Sequence, residues 1–383
     1  MRPDLTGIVR AGDGIIVGQA SAEPQTLVEA LVEQRARFSG ASVFLGVNYA
    51  GIVRLEHADH LRLSSYCGSG HNRALADAGV LDIHPHPYSK LGFLVRNKTI
   101  ASDVALIQVS PPNARGDYSL GLAADYLIPA LAVARAVVAE VNDRIPWTHT
   151  ERLLRKEDFS LLVESSREPA AAPQPTFGAT ERSIARHAAA FVPERATIEF
   201  GLGALPDAIC EALKERKGLS VHSGTVGDGV ADLLAGGAVD KVTAAMLIGS
   251  RKLFDAARDN PAIRLRSVEY THDPRVLAGI DRFVAVNSAI EVDLTGQVNA
   301  EVARGSYLGA VGGALDFVRA ASQSPDGVSL LLLPASRIVE KLQGPVATPR
   351  SEAGVIVTEL GAADLRGCSL AERKRRMSAI SKP

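Results

Sequence analysis

The residues of this sequence that could act chemically are concentrated in its second half. The loop Gly309-Ala310-Val311-Gly312-Gly313 precedes an amphipathic helical pattern. Backbone built from glycine can approach a ligand closely, and the free amides at the start of a helix favour an anion. A second glycine turn, Gly201-Leu202-Gly203, has Pro206 where a dinucleotide fingerprint has its last glycine. This second pattern predicts either a tight strand-to-helix turn or an anion site.

Two histidines in the same half are candidates for proton transfer, because the ordinary pKa of an imidazole lies near neutrality. His222 lies at the end of a predicted strand beside Ser223, and His272 precedes Asp273-Pro274. No GxSxG elbow surrounds Ser223, so a packing role is predicted for it. Asp228 follows Gly227 at the start of a helical pattern and is predicted to be an N-cap. No metal site is predicted, since no set of residues has the spacing of metal ligands.

Apolar, β-branched runs of strand length alternate with helical patterns along the chain. Strands are predicted at Ile15–Gly18, Ser42–Val47, Asp103–Val109, Ala136–Val141, Thr197–Phe200, Leu219–Ser223, Ala244–Ile248, Ile263–Tyr270, Arg282–Asn287, Val328–Leu333 and Val355–Leu360. Helices are predicted at Pro24–Arg37, Ala124–Ala134, Pro206–Arg216, Asp228–Ala235 and Asp273–Ile280. This alternation predicts an α/β fold with mainly parallel sheets and helices on both faces.

The length and composition indicate a globular protein of two domains. A chain of 383 residues exceeds one ordinary core, and 46% hydrophobic with 22% charged residues is typical of a soluble protein. The segment 166–178 is rich in Pro and Ala and predicts a linker between domains 1–165 and 179–383.

The charge balance excludes several classes of partner. The formal charge of −1 gives no basic excess for nucleic acid or a membrane surface. The N-terminal segment has no apolar signal core, and three scattered cysteines fit a reducing compartment, so a cytoplasmic location is predicted.

Several blocks of the sequence occur together in one known family. They are Gly18-Gln19-Ala20 with Glu23-Pro24, Asp103–Gly121, Phe200–Pro206, Asn287–Ser322, Ser336-Arg337-Ile338, Thr348-Pro349-Arg350 and Val357–Gly367. In this order, the blocks resemble the acetyl-CoA hydrolase/transferase family, which includes the 4-hydroxybutyrate CoA-transferases. The resemblance implies two tandem α/β domains of the CoA-transferase type, and members often form homodimers. Their usual chemistry moves CoA from an acyl-CoA to a carboxylate through a covalent glutamyl thioester.

The resemblance breaks at the position of the catalytic glutamate. In the family this residue lies in a segment like HTEM.SDGV.DL, to which His222–Leu233 correspond, and the glutamate position holds Gly224. Many members have an asparagine where this sequence has His272. Gly313 keeps a glycine that lies near the reacting carbonyl in relatives.

The resemblance also implies the residues of the site. The reacting centre would contain His272, His222, Gly224 and Gly313, and CoA or the acyl group would be bound by Gln19, Glu23, Gly201, Gly203, Gly312, Ser336, Arg337 and Arg350. CoA would be a substrate or product and no cofactor would be covalently bound.

Glycine cannot form an acyl anhydride, so the leading hypothesis is direct hydrolysis of a CoA thioester, with His272 as the base. Three alternatives stay open. In the first, the protein would be a CoA-transferase that uses another carboxylate. In the second, it would be a non-catalytic acyl-CoA-binding protein or partner subunit. In the third, it would be a hydrolase that cleaves a carbon–carbon bond in a CoA-linked diketone.

Overall fold

Strands and helices alternate along the chain, as its apolar patterns predict. The structure is a computed structural model that describes residues 3–172 and 176–382. The strands of this part are β1 Gly14–Val17, β2 Ser42–Leu45, β3 Arg62–Ser65, β4 Leu81–Ile83, β5 Val104–Val109, β6 Ala136–Asn142, β7 His149–Thr150, β8 Leu161–Ser165, β9 Thr197–Phe200, β10 Leu219–Val226, β11 Val239–Leu247, β12 Ile263–Leu265, β13 Phe283–Ser288, β14 Glu291–Asp293, β15 Val298–Asn299, β16 Val302–Ala303, β17 Ser306–Tyr307, β18 Val328–Leu332, β19 Ile338–Val339, β20 Val355–Thr358 and β21 Gly361–Asp364. Its α-helices are α1 Gln25–Gln34, α2 Asn72–Asp77, α3 Leu91–Arg96, α4 Leu127–Val133, α5 Ala179–Ala189, α6 Ala204–Ala212, α7 Asp228–Ala235, α8 Arg251–Ala257, α9 Val268–Thr271, α10 Pro274–Leu277, α11 Ala314–Gln323 and α12 Leu370–Ala379.

The described chain divides into two units. Unit 1 contains residues 3–172, 245–269 and 306–308, and unit 2 contains residues 176–244, 270–305 and 309–382. The predicted linker 166–178 includes residues 173–175, which lie outside the described residues. The predicted domain boundaries at 165 and 179 stay predictions.

Unit 1 contains a seven-stranded sheet with the order β4-β3-β2-β1-β5-β6-β8. Every adjacent pair in this sheet is parallel. Strand β5 is buried at all of its positions, as expected for a parallel strand that is covered on both faces. The predicted α/β fold with mainly parallel sheets is therefore confirmed.

In unit 2 the strands follow the order β21-β20-β18-β13-β9-β10-β11. Strand β9 has parallel neighbours on both sides, β10 on one and β13 on the other. Within this sheet the pairs β13–β18 and β18–β20 are also parallel, and the pair β20–β21 is antiparallel. The sheet thus presents the carboxyl ends of β9, β10 and β13 at one edge.

Helix α11 covers one face of this sheet. Phe317 and Ala321 of the helix share a buried apolar cluster with Phe283 and Ala285 of β13. The buried residues of α11 are all apolar, and its polar residues are exposed or half-buried, so the helix is amphipathic as predicted. This packing holds the glycine loop before α11 over the face of the sheet to which Phe283 and Ala285 of β13 point.

One predicted element is wrong in part. The run Ile263–Tyr270 forms a strand only to Leu265, and Val268–Thr271 forms helix α9. Periodicity does not separate helix from strand in so short an apolar run. The correction matters for function because α9 leads directly into His272. No helix in residues 3–172 or 176–382 has both the length and the apolar character that crossing a bilayer requires.

Candidate active site

The candidate active site lies where the strand order of unit 2 reverses. From β9 the chain passes to β10 on one side, and it returns later to β13 on the other side. Open α/β sheets bind ligands beyond the carboxyl ends of the strands at such a switch point. Seven residues lie on or against one face of the sheet there, and we call them the switch-point cluster: Glu199, His222, Gly224, His272, Asn287, Gly313 and Phe317.

The imidazole of His272 fills the space over two glycines. A Cβ atom at Gly224 would lie 3.0 Å from Cε1 and 3.1 Å from Nε2 of this ring. A Cβ atom at Gly313 would approach Nε2 more closely than real side chains do. The ring also packs against Phe317, with 4.5 Å between the ring centroids. The structure therefore brings three of the predicted catalytic positions into one contact.

Burial sets the protonation state of His272. The side chain is almost fully buried, and burial lowers its pKa to about 3, with a smaller contribution from the neighbouring His222. Its Nδ1 atom lies 2.9 Å from the hydroxyl oxygen of Thr271. The imidazole is therefore neutral at pH 7, and it takes up a proton much less readily than an exposed histidine does.

His222 supports the segment that carries His272. Its Nε2 atom lies 2.9 Å from the carbonyl oxygen of Thr271, so this nitrogen carries the proton and donates it. The ring also packs near Tyr270 and Phe283, with centroids 6.0 Å and 6.4 Å away. Burial lowers the pKa of His222, so its ring too is neutral at pH 7. This geometry indicates a positioning role.

Glu199 is a member of the cluster to which the sequence analysis gave no role. Its carboxyl group is almost fully buried, and Asn287 Nδ2 donates a hydrogen bond of 2.8 Å to Glu199 Oε2. Burial raises the pKa of Glu199 to about 8, and the bond from Asn287 lowers it in part. The sequence does contain a signal for Glu199. It is an acidic residue inside the predicted strand Thr197–Phe200, whose other residues favour a buried strand.

Ser223 separates the ends of β9 and β10. Its hydroxyl oxygen lies 2.9 Å from the carbonyl oxygen of Phe200 and 2.7 Å from that of Thr225, and its single proton is shared between these two acceptors. It also accepts from the backbone N–H of Phe200 at 3.3 Å. These bonds replace ladder bonds between the two strands and agree with the predicted packing role.

Helix α7 begins one residue earlier than an N-cap at Asp228 would imply. The N-cap is Gly227, and Asp228 lies in the first turn of the helix. The predicted N-cap role of Asp228 is therefore wrong by one position. A carboxylate in the first turn still favours the helix through its dipole.

Each of the two glycine turns leads into the N-terminus of a helix. Gly203 is the N-cap of α6 and has φ of +117°, which only glycine adopts freely. Gly312 has φ of +59°, and Gly313 is the N-cap of α11. Gly201 follows β9, and the atoms nearest to a Cβ at this position would be 3.7 Å away. The turns therefore present backbone amides at the carboxyl edge of the sheet, where an anion or an oxyanion is favoured.

Comparison with known proteins shows the family to which this chain belongs. The sequence profile of the acetyl-CoA hydrolase/transferase N-terminal domain matches residues 2–162, and that of the C-terminal domain matches residues 249–383. The 4-hydroxybutyrate coenzyme A transferase of Clostridium kluyveri is 32% identical, over 96% of this chain and 91% of the relative. The chain belongs to the acetyl-CoA hydrolase/transferase family.

Other members of the family have different named activities. The acetyl-CoA hydrolase of Kluyveromyces lactis is 30% identical over 56% of this chain, which covers 46% of that protein. The crystal structure of RipA from Yersinia pestis matches with a TM-score of 0.93 and 29% identity, over 98% of this chain and 92% of that chain. The prediction of an enzyme of this family is confirmed. The replacement of the family's glutamate by Gly224 stays a prediction.

Three residues predicted to bind CoA or the acyl group lie near the C-terminus of unit 2. Ser336 and Arg337 are exposed in a 3-10 turn, Ala335–Arg337, after β18. Arg350 is also exposed, and its carbonyl oxygen accepts a hydrogen bond of 2.7 Å from Arg373. The binding roles of these residues stay predictions.

In unit 1, Gln19 is buried in a polar network. Its Oε1 atom accepts from Val47 N and Tyr66 Oη, each at 2.9 Å. Its Nε2 atom donates to Tyr88 Oη at 2.8 Å and to Asp125 Oδ2 at 2.6 Å. Protein groups therefore use the full hydrogen-bonding capacity of this amide. Its predicted contact with substrate stays a prediction, and its visible role is to order unit 1.

Glu23 of unit 1 also has a buried carboxyl group. Burial raises its pKa to about 8, while the backbone N–H of Ala50, 3.4 Å from Oε2, lowers it and the carboxylate of Glu140 raises it. Its predicted role in binding stays a prediction.

Proposed function

We propose that the protein hydrolyses an acyl-CoA thioester, so that water receives the acyl group and CoA leaves as a thiol. The observation that carries this proposal is the contact between His272 and Gly224. Position 224 has no side chain to attack the thioester, and the imidazole of His272 lies 3.0 Å from the place where a Cβ atom would stand. A covalent glutamyl intermediate at this position is therefore impossible.

The remaining machinery of the cluster fits attack by water. The N-terminus of α11 and the loop before it offer backbone amides beside His272, and such donors stabilise the oxyanion that forms when a thioester is attacked. Neutral His272 can hold a water molecule by a hydrogen bond. In this proposal its role is to hold and orient that water, and its predicted role as the base stays a prediction.

The test is thiol release without an acceptor. The protein is incubated with a panel of acyl-CoA esters and a thiol reagent, and no carboxylate is added. We expect equal amounts of free CoA and free acid, and we expect His272→Ala to lower the rate by about 100-fold, as for loss of a group that positions the attacking water. His86→Ala, which removes an exposed histidine of unit 1, is the control. An unchanged rate in His272→Ala would remove this residue from the mechanism.

The pH dependence of the rate adds a second check. Since burial lowers the pKa of His272 to about 3, the imidazole is neutral at every pH above about 4. The rate should therefore show no histidine-dependent change near pH 6.5. A change in the rate near pH 6.5 that the wild type shows and His272→Ala lacks would contradict the buried environment described above.

CoA transfer is the second candidate, and two observations favour it. A named CoA-transferase is similar over almost the whole chain, and Glu199 supplies a carboxyl group on the same face of the sheet as Gly224. Transfer requires an added carboxylate and leaves a glutamyl thioester that borohydride reduces. Thiol release that depends on a carboxylate acceptor would replace hydrolysis by transfer.

A further inference from the structure

Glu199 lies on the catalytic face of the unit 2 sheet. The parallel register pairs Glu199 of β9 with Ala285 of β13, and paired residues share a face. Ala285 packs in the same buried cluster as Phe317, and Phe317 is 3.7 Å from the Cβ position of Gly224. The carboxyl group of Glu199 therefore lies on the side of the sheet where His272 and Gly313 are found.

Asn287 connects this carboxyl group to the edge of the sheet. Its Nδ2 atom donates to Glu199 Oε2 at 2.8 Å. Its Oδ1 atom lies 3.7 Å from the Cβ position of Gly201. Because Gly201 is a glycine, no side chain of residue 201 lies against the Asn287 amide.

Packing alone does not account for an acid at this position. Even with hydrogen bonds from the side chain of Asn287 and the backbone of Val286, burying a carboxyl group is unfavourable compared with burying an apolar side chain or an amide. Glutamine would accept the same bond from Asn287 without an ionisable group. An acid at this buried position therefore points to chemistry.

We propose that Glu199 is the general base that takes a proton from the attacking water. The inference rests on the proposed hydrolysis. An O–H bond of water breaks and its proton passes to Glu199, while the oxygen bonds to the thioester carbon. The C–S bond then breaks, and the proton passes from Glu199 to the departing thiolate. The products are a carboxylic acid and CoA thiol, and Glu199 returns to its ionised form.

The surroundings of Glu199 contain few charges that could shift its titration. His222 of β10 and His272 after α9 are both neutral near pH 7, and Tyr270 packs beside His222. Helix α11 carries Asp316 in its first turn. It also carries Arg319, which pairs with Glu352 at 3.2 Å.

These surroundings set the expected pH dependence. Since burial raises the pKa of Glu199 to about 8, the ionised base forms as the pH rises through 8, and the rate of hydrolysis should rise with it. The bond from Asn287 favours the ionised form, so Asn287→Ala should move this rise to higher pH.

The experiment measures thiol release from pH 6 to 10 for four proteins, with the enzyme-free rate subtracted. Glu199→Gln should lower the rate by about 100-fold or more and abolish the rise near pH 8. Asn287→Ala should keep the rise but shift it upward. Glu215→Gln removes an exposed carboxylate of unit 2 and should match the wild type.

The outcomes distinguish failure of the Glu199 assignment from failure of the proposed hydrolysis. Wild-type activity and pH profile in Glu199→Gln would overturn the assignment while leaving hydrolysis in place. Absence of acceptor-free thiol release in the wild type would overturn the proposed function itself. A CoA adduct on Glu199 in the mass spectrum would make it a nucleophile and overturn the base role. If Glu199→Gln does not fold, an unshifted profile in Asn287→Ala overturns the assignment.

Discussion

At the scale of single residues, the site depends on the fit between one imidazole and two glycines. Gly313→Ala would place a methyl group against Nε2 of His272. We expect it to lower the free energy of unfolding by roughly 1–3 kcal/mol, since overpacking displaces the ring or the backbone. In a His272→Ala background the same substitution should cost much less, because the ring is gone.

Urea denaturation of the four proteins in this cycle measures the coupling. Gly279→Ala is a matched control in the same unit, because its nearest neighbouring atom would be 3.5 Å away. It should change stability by no more than about 0.5 kcal/mol. Equal costs for Gly313→Ala in both backgrounds would contradict the contact.

The sequence was sufficient to find part of this arrangement. The resemblance predicted that His272, Gly224 and Gly313 belong to one reacting centre, and the structure brings them into contact. Their protonation could not be predicted, because the pKa of His272 depends on burial by Phe317, which is distant in sequence. Glu199 was missed for the same reason. The register between β9 and β13 is needed to see that it lies on the same face of the sheet as Ala285, which packs with Phe317.

At the scale of elements, the buried acid of β9 should lower the free energy of unfolding by an amount that depends on pH. Glu199 has a pKa near 8 in the folded protein and an ordinary value of 4.5 when unfolded. Between these values the unfolded chain releases the proton and the folded chain keeps it, so this residue lowers stability as pH rises. Its effect is absent well below pH 4.5 and complete above pH 8.

Glu199→Gln should therefore be more stable than the wild type, and increasingly so from pH 4.5 to 8. The difference should approach roughly 3–5 kcal/mol at pH 8. Denaturant unfolding at several pH values tests this expectation. A difference that does not vary with pH would contradict the buried, protonated acid. Greater stability combined with lost activity is the pattern expected of a functional site.

The elements themselves were predicted well where apolar runs are unbroken. Thr197–Phe200 and Asp228–Ala235 have the predicted bounds. Strand β11 begins at Val239 rather than Ala244, because Asp240 and Lys241 are exposed there and interrupt the apolar pattern. The end of Ile263–Tyr270 was wrong because helix α9 is too short to show a helical period.

At the scale of the whole molecule, binding of CoA should stabilise the native protein. A ligand that binds only the folded state contributes about 2.7 kcal/mol at 100 times its Kd. We expect the midpoint of thermal unfolding to rise with CoA concentration, and to rise less with ATP, which lacks the pantetheine arm. No shift at millimolar CoA would contradict CoA as substrate or product. The predicted homodimer is a separate prediction, which light scattering can check against the chain mass of 40.4 kDa.

The hydroxyl of Ser223 has one more consequence. Because it binds both backbone groups of Phe200, the tip of β9 does not need β10 to complete its hydrogen bonds. The side chain at position 224 is thus not needed to join the ends of the two strands. We expect the strands to keep their places when that side chain is changed, so that the chemistry at this position can differ on the same scaffold.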